Sequence, residues 1–368
     1  MRIQPFRALI PALLLLSVIT LSRAQGTKDS DKMLDKSVQT SVGALKYLLF
    51  VPKGYTASQR YPLVVSMHGL NDPSVEYINS TNGSDQAHPW IEDSIQARVP
   101  HFIMVPQCNS GTWGGMGAST GTLAPAAKSV LEGIESLKKE YSLDTNRFII
   151  TGFSIGGAGT YHQIEMKPNY WAAAIPCAAG GDSTKIEVIA KTPIWHHQGM
   201  SDLAGAPSIR MMTALENHGH KTFKVVSQVV AKSSSAWRSA IQSGSKPQDI
   251  VYKNASPSYD SVSRAIDAGA PFIFLQLTGG DHGAGWINGA HNPLLAKWAF
   301  SKVRGMLTTP LATKAGGTVA KRNGRVLTYV FPDAVRGGVM TLLGRRVEPR
   351  GLGAGANPAM QAFLINRK

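Results

Sequence analysis

The stretch that most constrains this chain is Thr151-Gly152-Phe153-Ser154-Ile155-Gly156-Gly157. The run Arg147-Phe148-Ile149-Ile150 ahead of it reads as a short buried strand. Ala158-Gly159-Thr160-Tyr161-His162-Gln163-Ile164 behind it can start a helix. A serine flanked by glycine two positions to either side, between a strand and a helix, is the setting of a G-x-S-x-G elbow. A side chain at either flanking position would clash in so tight a turn, and glycine removes the clash. Ser154 then projects above the sheet edge. The N–H of Ile155 points toward an attacked carbonyl oxygen, at a helix N-terminus that favours negative charge. Glycine-rich strand ends without chemistry are common, so the partners of Ser154 decide what the motif means.

Other strands follow from apolar runs. Ala44 to Val51 reads as a strand ended by Pro52 and Gly54, and the preceding stretch from Gln25 to about Lys36 reads as loose. Tyr61 to Met67 is apolar enough to lie mid-sheet and runs into His68-Gly69-Leu70. Gly69 would let a backbone N–H near Leu70 face the serine, beside that of Ile155. Phe102 to Val105 is next, and Trp113 in the loop beyond it is either a pocket wall or a packed loop residue. Leu123 to Tyr141 reads as a helix with Val130, Ile134 and Leu137 on one face. Trp171 to Pro176, Pro193 to His197 and Phe272 to Leu277 complete the strands. Alternation of strands and helices predicts an α/β fold, with a mostly parallel central sheet covered by helices on both faces.

Just past three of these strands lie Ser154, Asp202 and His282, in that chain order. This is the order of the α/β-hydrolase constellation. His282 would take the Ser154 proton, and Asp202 would hold the imidazole tautomer. Asp182 and Asp281 are alternative acids, and His68 an alternative base. His196 and His197 are adjacent on a strand and so face opposite sides, which leaves no third ligand for a metal even with His218 and His220 nearby.

Ahead of the fold, Arg2 and Arg7 precede the apolar run Leu9 to Leu21, and Ser22-Arg23-Ala24 carries the small residues of a cleavage site. Residues 1–24 read as a secretory signal peptide, too short for a spanning helix, and no later stretch is long and apolar enough to span. The mature chain is expected to be exported. The net charge is +15. From Lys314 onward ten basic residues face only Asp333 and Glu348, a net +8, so the basic character belongs mainly to the tail. That argues against nucleic acid as a partner of the catalytic part and leaves acidic surfaces or polysaccharides open to the tail.

Six segments together resemble exported serine esterases related to feruloyl and acetyl-xylan esterases and polyhydroxybutyrate depolymerases, a group that also includes prolyl-oligopeptidase-like proteins. They are Tyr47 to Tyr55, Pro62 to Gly69, Pro106-Gln107-Cys108 with Trp113, Gly152 to Gly157, Gly199-Met200-Ser201-Asp202, and Gly280 to Trp286. The resemblance covers roughly residues 44–304. It implies Ser154 as nucleophile, Asp202 as acid and His282 as base, no cofactor, and a pocket that includes Trp286. It departs from the group at Gln198, where a histidine is usual, and this departure is read as lying outside the triad. It also departs in the roughly 80 residues between Asp202 and His282. Pro207 to Gly219 and Pro257 to Gly269 both look like the one helix expected there, so one is extra. The insertion spans about 220–256 and carries Trp237 and Arg238 on a short helix that either overhangs the serine or leads away from it.

The catalytic domain is thus expected over 25–306, followed by a basic linker and β-rich tail over 307–368. Expected function is hydrolysis of carboxylic esters, with feruloyl or acetyl esters of plant-wall polysaccharide as the substrate the resemblance suggests. A serine peptidase, a polyhydroxyalkanoate depolymerase and a non-catalytic binding protein on the same fold are the alternatives. In the sheet order usual for this fold, Cys108 and Cys177 lie three strand spacings apart, about 14 Å. A disulfide needs Cα atoms within about 7 Å, so both are expected to be free thiols.

Overall fold

A computed structural model describes residues 32–70, 87, 90–108, 110–115 and 121–307, with four short strands beyond them. The leader segment and most of residues 71–89 lie outside the described residues. Nine strands form one sheet: β1 (Leu34–Thr40), β2 (Gly43–Phe50), β3 (Tyr61–Met67), β4 (Phe102–Pro106), β5 (Leu143–Phe153), β6 (Ala173–Cys177), β7 (Ile194–Gly199), β8 (Thr222–Gln228) and β9 (Phe272–Thr278). Their order is β1-β2-β4-β3-β5-β6-β7-β9-β8. The first two pairings are antiparallel, and every pairing from β4 to β8 is parallel. The described helices are α1 (Asp93–Gln96), α2 (Pro125–Glu140), α3 (Ile155–Met166), α4 (Ile186–Ile189), α5 (Gly205–Asn217), α6 (Ser234–Gln242), α7 (Pro247–Val251), α8 (Tyr259–Asp267), α9 (His282–Ala290) and α10 (Leu295–Phe300).

The central strands are buried along most of their length, with helices covering both faces. All seven residues of β3 are buried. Successive side chains alternate between two cores: Val64, Ile149 and Ile175 on one face, Leu63, Val65 and Ile150 on the other. Helix α2 begins with Pro125, whose missing N–H costs nothing there, and ends with Lys138 and Lys139 against the negative end of the helix dipole. Its buried stripe includes Val130, Ile134 and Leu137.

Two strands depart from expectation. The stretch expected to be loose runs into β1, whose first residues Leu34, Asp35 and Lys36 it includes, and the strand pairs with β2 from Leu34↔Leu49 to Thr40↔Gly43. Its side chains are exposed or half-buried throughout, so it carries little apolar signal. The expected insertion contains β8, which pairs with β9 at the sheet edge. Both helices flanking it form: α5 leads from β7 to β8, and α8 leads from β8 back to β9. The excess length between Asp202 and His282 is therefore an added edge strand with α6 and α7.

The packed fold runs at least to Leu307, which packs against the core. Nearby, Arg304 donates from its backbone N–H to Asn146 O at 2.9 Å. Beyond it, β10 (Val326–Thr328) pairs with β13 (Phe363–Ile365), and β11 (Val339–Met340) pairs with β12 (Arg346–Val347), as two ladders separate from the main sheet. The linker between lies outside the described residues.

Cys108 and Cys177 are free and buried. Strands β3 and β5 separate β4 from β6, which keeps the two cysteines apart. Burial raises the pKa of both thiols. Thiol titration of the denatured, unreduced chain is expected to find two thiols, and the native chain is expected to react far more slowly. A denatured chain with no free thiol would contradict this sheet order.

Candidate active site

One residue separates β5 from α3. Ser154 has φ 57° and ψ −119°, a left-handed conformation that a non-glycine residue adopts only where the surroundings enforce it. Its N–H donates to Cys177 O at 3.0 Å, and its carbonyl accepts from Ala158 N at 3.0 Å. The flanking glycines are a packing requirement. A Cβ on Gly152 would sit 2.3 Å from Gly156 O, and one on Gly156 would sit 2.2 Å from Met67 O. The turn closes only where neither position has a side chain.

The parallel strands all deliver their C-terminal ends to this edge, as open α/β sheets do around their ligands. The loop after β7 supplies Asp202, and the loop after β9 supplies His282, first residue of α9. His282 Nε2 lies 2.9 Å from Ser154 Oγ, and His282 Nδ1 lies 2.8 Å from Asp202 Oδ2. The carboxylate accepts at Nδ1, so Nδ1 carries the hydrogen and Nε2 accepts from the serine hydroxyl. Asp202 is 7% exposed and His282 46% exposed, so the acid is enclosed while the imidazole meets solvent. The Phe153 ring packs on His282 at 4.8 Å and Trp286 packs behind Phe153 at 5.7 Å. Chemically, this arrangement can draw a proton from Ser154 and return it to a leaving group.

The other candidates are engaged elsewhere. Asp281 Oδ1 caps α9 by accepting from Ala284 N at 3.0 Å. Asp182 Oδ1 accepts from Thr184 N at 2.9 Å and Thr184 Oγ1 at 2.6 Å. His68 is buried, with Nε2 accepting from Cys108 N at 2.9 Å and Nδ1 donating to Gly69 O at 2.6 Å. Burial lowers its pKa to about 4, so it is a neutral tie between two loops. His196 and His197 point to opposite sides of β7: His196 Nδ1 lies 2.7 Å from Tyr161 OH, whereas His197 Nε2 lies 3.1 Å from Asn292 Nδ2. His220 packs edge-on against Phe272, and the backbone N–H of His218 closes helix α5 on Ala214 O.

Trp113 is not a pocket wall. It is wholly buried, donates from Nε1 to His68 O at 3.0 Å, and lies so close to α3 that a Cβ on Gly159 would come within 2.3 Å of its Cβ. An indole in that position holds up the loops beneath the site. Trp286 is likewise largely buried. Ile155 opens α3 directly after Ser154, and Leu70 is 71% exposed after Gly69. Gly69 lies against the elbow, since a Cβ there would meet the Phe153 ring at 2.9 Å.

Gln198 corrects the reading that its position stands clear of the triad. Its Nε2 donates to Asp202 Oδ2 at 2.9 Å, the same oxygen that faces His282. No local pattern signals this, because the contact requires the loop after β7 to fold back on its own strand.

No family model matches the chain. A stretch of 144 residues is 29% identical to a bifunctional acetylxylan esterase/xylanase, XynS20E, of Neocallimastix patriciarum, covering 38% of this chain and 19% of that protein. A stretch of 148 residues is 27% identical to poly(3-hydroxyalkanoate) depolymerase C of Paucimonas lemoignei, covering 38% of this chain and 33% of that protein. The chain thus spans about a fifth and a third of these relatives' lengths. Among solved structures, a thermostable esterase superposes with a TM-score of 0.56 at 24% identity, over 75% of this chain and 64% of that one. With the parallel sheet described above, this likeness shows the α/β-hydrolase fold.

Gly156→Ala is expected to destabilise the chain by about 2 kcal/mol or more, because the new methyl group must displace the backbone of β3. Denaturant unfolding beside the wild type measures it. An unchanged midpoint would mean that the elbow relaxes without strain.

Proposed function

We propose that the chain is a serine hydrolase of carboxylic esters. The observation that carries this reading is the hydrogen-bonded series Ser154–His282–Asp202 on a strained turn at a helix N-terminus. Ser154 Oγ attacks the ester carbonyl as His282 Nε2 takes its proton. The backbone N–H groups of Ile155 and Leu70 receive the developing oxyanion, and the N-terminus of α3 adds favourable potential. His282 then returns the proton to the departing alcohol. Water, activated by the same imidazole, releases the acid from the acyl-serine. Asp202 keeps the hydrogen on Nδ1 and stabilises the imidazolium.

Acyl esters of plant-wall polysaccharide, acetyl or feruloyl, are the substrate class we favour. The relative named as an acetylxylan esterase supports it. The relative named as a poly(3-hydroxyalkanoate) depolymerase makes an aliphatic polyester the second substrate to test. Among the described residues, no helix is long and apolar enough to cross a membrane. The leader-like N-terminal sequence supports export.

Ser154→Ala is expected to lower turnover of p-nitrophenyl acetate by roughly 10⁴-fold or more while leaving the circular dichroism spectrum unchanged. Near wild-type turnover would sink the mechanism. Acetylated xylan, a feruloylated oligosaccharide, a polyhydroxybutyrate film and a peptide amide, assayed side by side, separate the substrate classes. Removal of residues from 308 onward is expected to leave p-nitrophenyl acetate turnover within about twofold and to change retention on polymer. A truncated chain that cannot fold would show the tail to be part of the domain.

A further inference from the structure

We infer that Gln198 is a positioning residue for Asp202, its amide locked in one orientation so that it fixes the carboxylate oxygen on which His282 rests. The inference depends on the triad reading above. Gln198 is the penultimate residue of β7 and is fully buried. Its Nε2 lies 2.9 Å from Gly199 O and 2.9 Å from Asp202 Oδ2. Both neighbours are acceptors, so both amide hydrogens are committed. Its Oε1 accepts from Ser208 Oγ at 2.5 Å, on α5. Turning the amide over would set its oxygen against a carboxylate and a carbonyl. Only the observed orientation sets donors against both of these acceptors.

The consequence falls on Asp202. Oδ2 accepts from His282 and Gln198, while Oδ1 accepts from Ala204 N at 3.2 Å. The carboxylate is therefore held from both ends. Its enclosure means that a lost donor leaves a poorly solvated charge. Ser208 Oγ also lies 2.7 Å from Ala204 O and 2.8 Å from Ala179 O, in the loop after β6; its single hydrogen serves one acceptor at a time, and Gln198 Oε1 is the nearest of the three. Toward the core, His196 Nε2 stands 3.5 Å from Gln198 Oε1, and His196 Nδ1 meets Tyr161 OH on α3. The titratable groups around Gln198 are thus Asp202 and His282 on the solvent side, His196 and Tyr161 on the core side. Burial lowers the His196 pKa to about 4, so that neighbour stays neutral. A glutamine does not titrate either, so Asp202 receives the same support at every working pH.

The test measures kcat and KM for p-nitrophenyl acetate from about pH 5 to 9 in the full chain, for wild type, Ser154→Ala, Gln198→Leu, Gln198→Glu and Ser208→Ala. Gln198→Leu is expected to lower kcat by roughly 30–100-fold with KM within about twofold, as a misplaced catalytic group does. In Gln198→Glu the protonated acid can still donate, but its ionised form confronts Asp202 with a second carboxylate. Its kcat relative to wild type should therefore fall by about tenfold or more from the low to the high end of the range. A merely structural role would lower stability and leave that ratio flat. Ser208→Ala should cost kcat about 3–10-fold, and it decides the matter with Gln198→Glu if Gln198→Leu does not fold. A flat Gln198→Glu ratio with wild-type kcat in Ser208→Ala overturns the proposal. An active Ser154→Ala would instead overturn the triad reading, so the two failures are distinguishable.

Discussion

Ser154 alone joins strand β5 to helix α3, and its left-handed backbone is the constraint around which neighbouring elements are fitted. Such a conformation costs of order 1–3 kcal/mol and persists only where the surroundings over-determine it. Here the neighbours on both sides do so. The β6 end accepts the Ser154 N–H through Cys177 O, and the β3 end passes close enough to exclude any side chain at Gly156. The same closeness lifts Oγ clear of the sheet toward the loops after β7 and β9. A second tight approach sets those loops against each other: a Cβ on Gly199 would come within 2.1 Å of Asp281 O. Asp202 and His282 meet because the backbones carrying them touch.

Burial, more than residue type, separates the histidines by role. His68, His101, His196 and His197 are wholly buried, and desolvation lowers the pKa of each. Neutral imidazoles of this kind act as two-ended connectors, with one nitrogen donating and the other accepting. His68 ties the loop after β3 to the loop after β4, and His196 ties β7 to α3. His282 is the contrasting case, half exposed with both ring nitrogens engaged by groups that could exchange a proton.

The chain added between Asp202 and His282 also braces His282. Asn288 on α9 donates to Ala231 O at 2.8 Å, and Lys232 O lies 3.2 Å from where a Cβ on Gly283 would be. Trp237 on α6 stacks on His291, just past the end of α9, with ring centroids 4.4 Å apart. Strand β8 thus extends the sheet, while the segment after it packs along the helix that begins with His282. Loops that carry functional groups are commonly the least restrained parts of a fold, and this one is restrained along its length.

Sequence alone determined what depends on neighbours in the chain. The continuous apolar run of β3 marks a strand buried on both faces, and Gly152 and Gly156 mark a turn that admits no side chain. The succession of strand ends bearing Ser154, Asp202 and His282 follows from alternation of apolar runs and helices, whereas the separation of Cys108 from Cys177 rests on the sheet order of the fold. Tertiary structure decided what depends on partners distant in the chain. Strand β1, with Asp35, Lys36 and Ser37 at its centre, is a strand because β2 pairs with it, and β8 is one because β9 does. Trp113 became a buried support because α3 and the His68 carbonyl close over it. Gln198 came to hold Asp202 because the loop after β7 turns back and brings Ser208 to its other end. Backbone period and turn sterics are local and are written in adjacent residues, whereas the partner of an edge strand or a buried amide is chosen only when remote segments pack together.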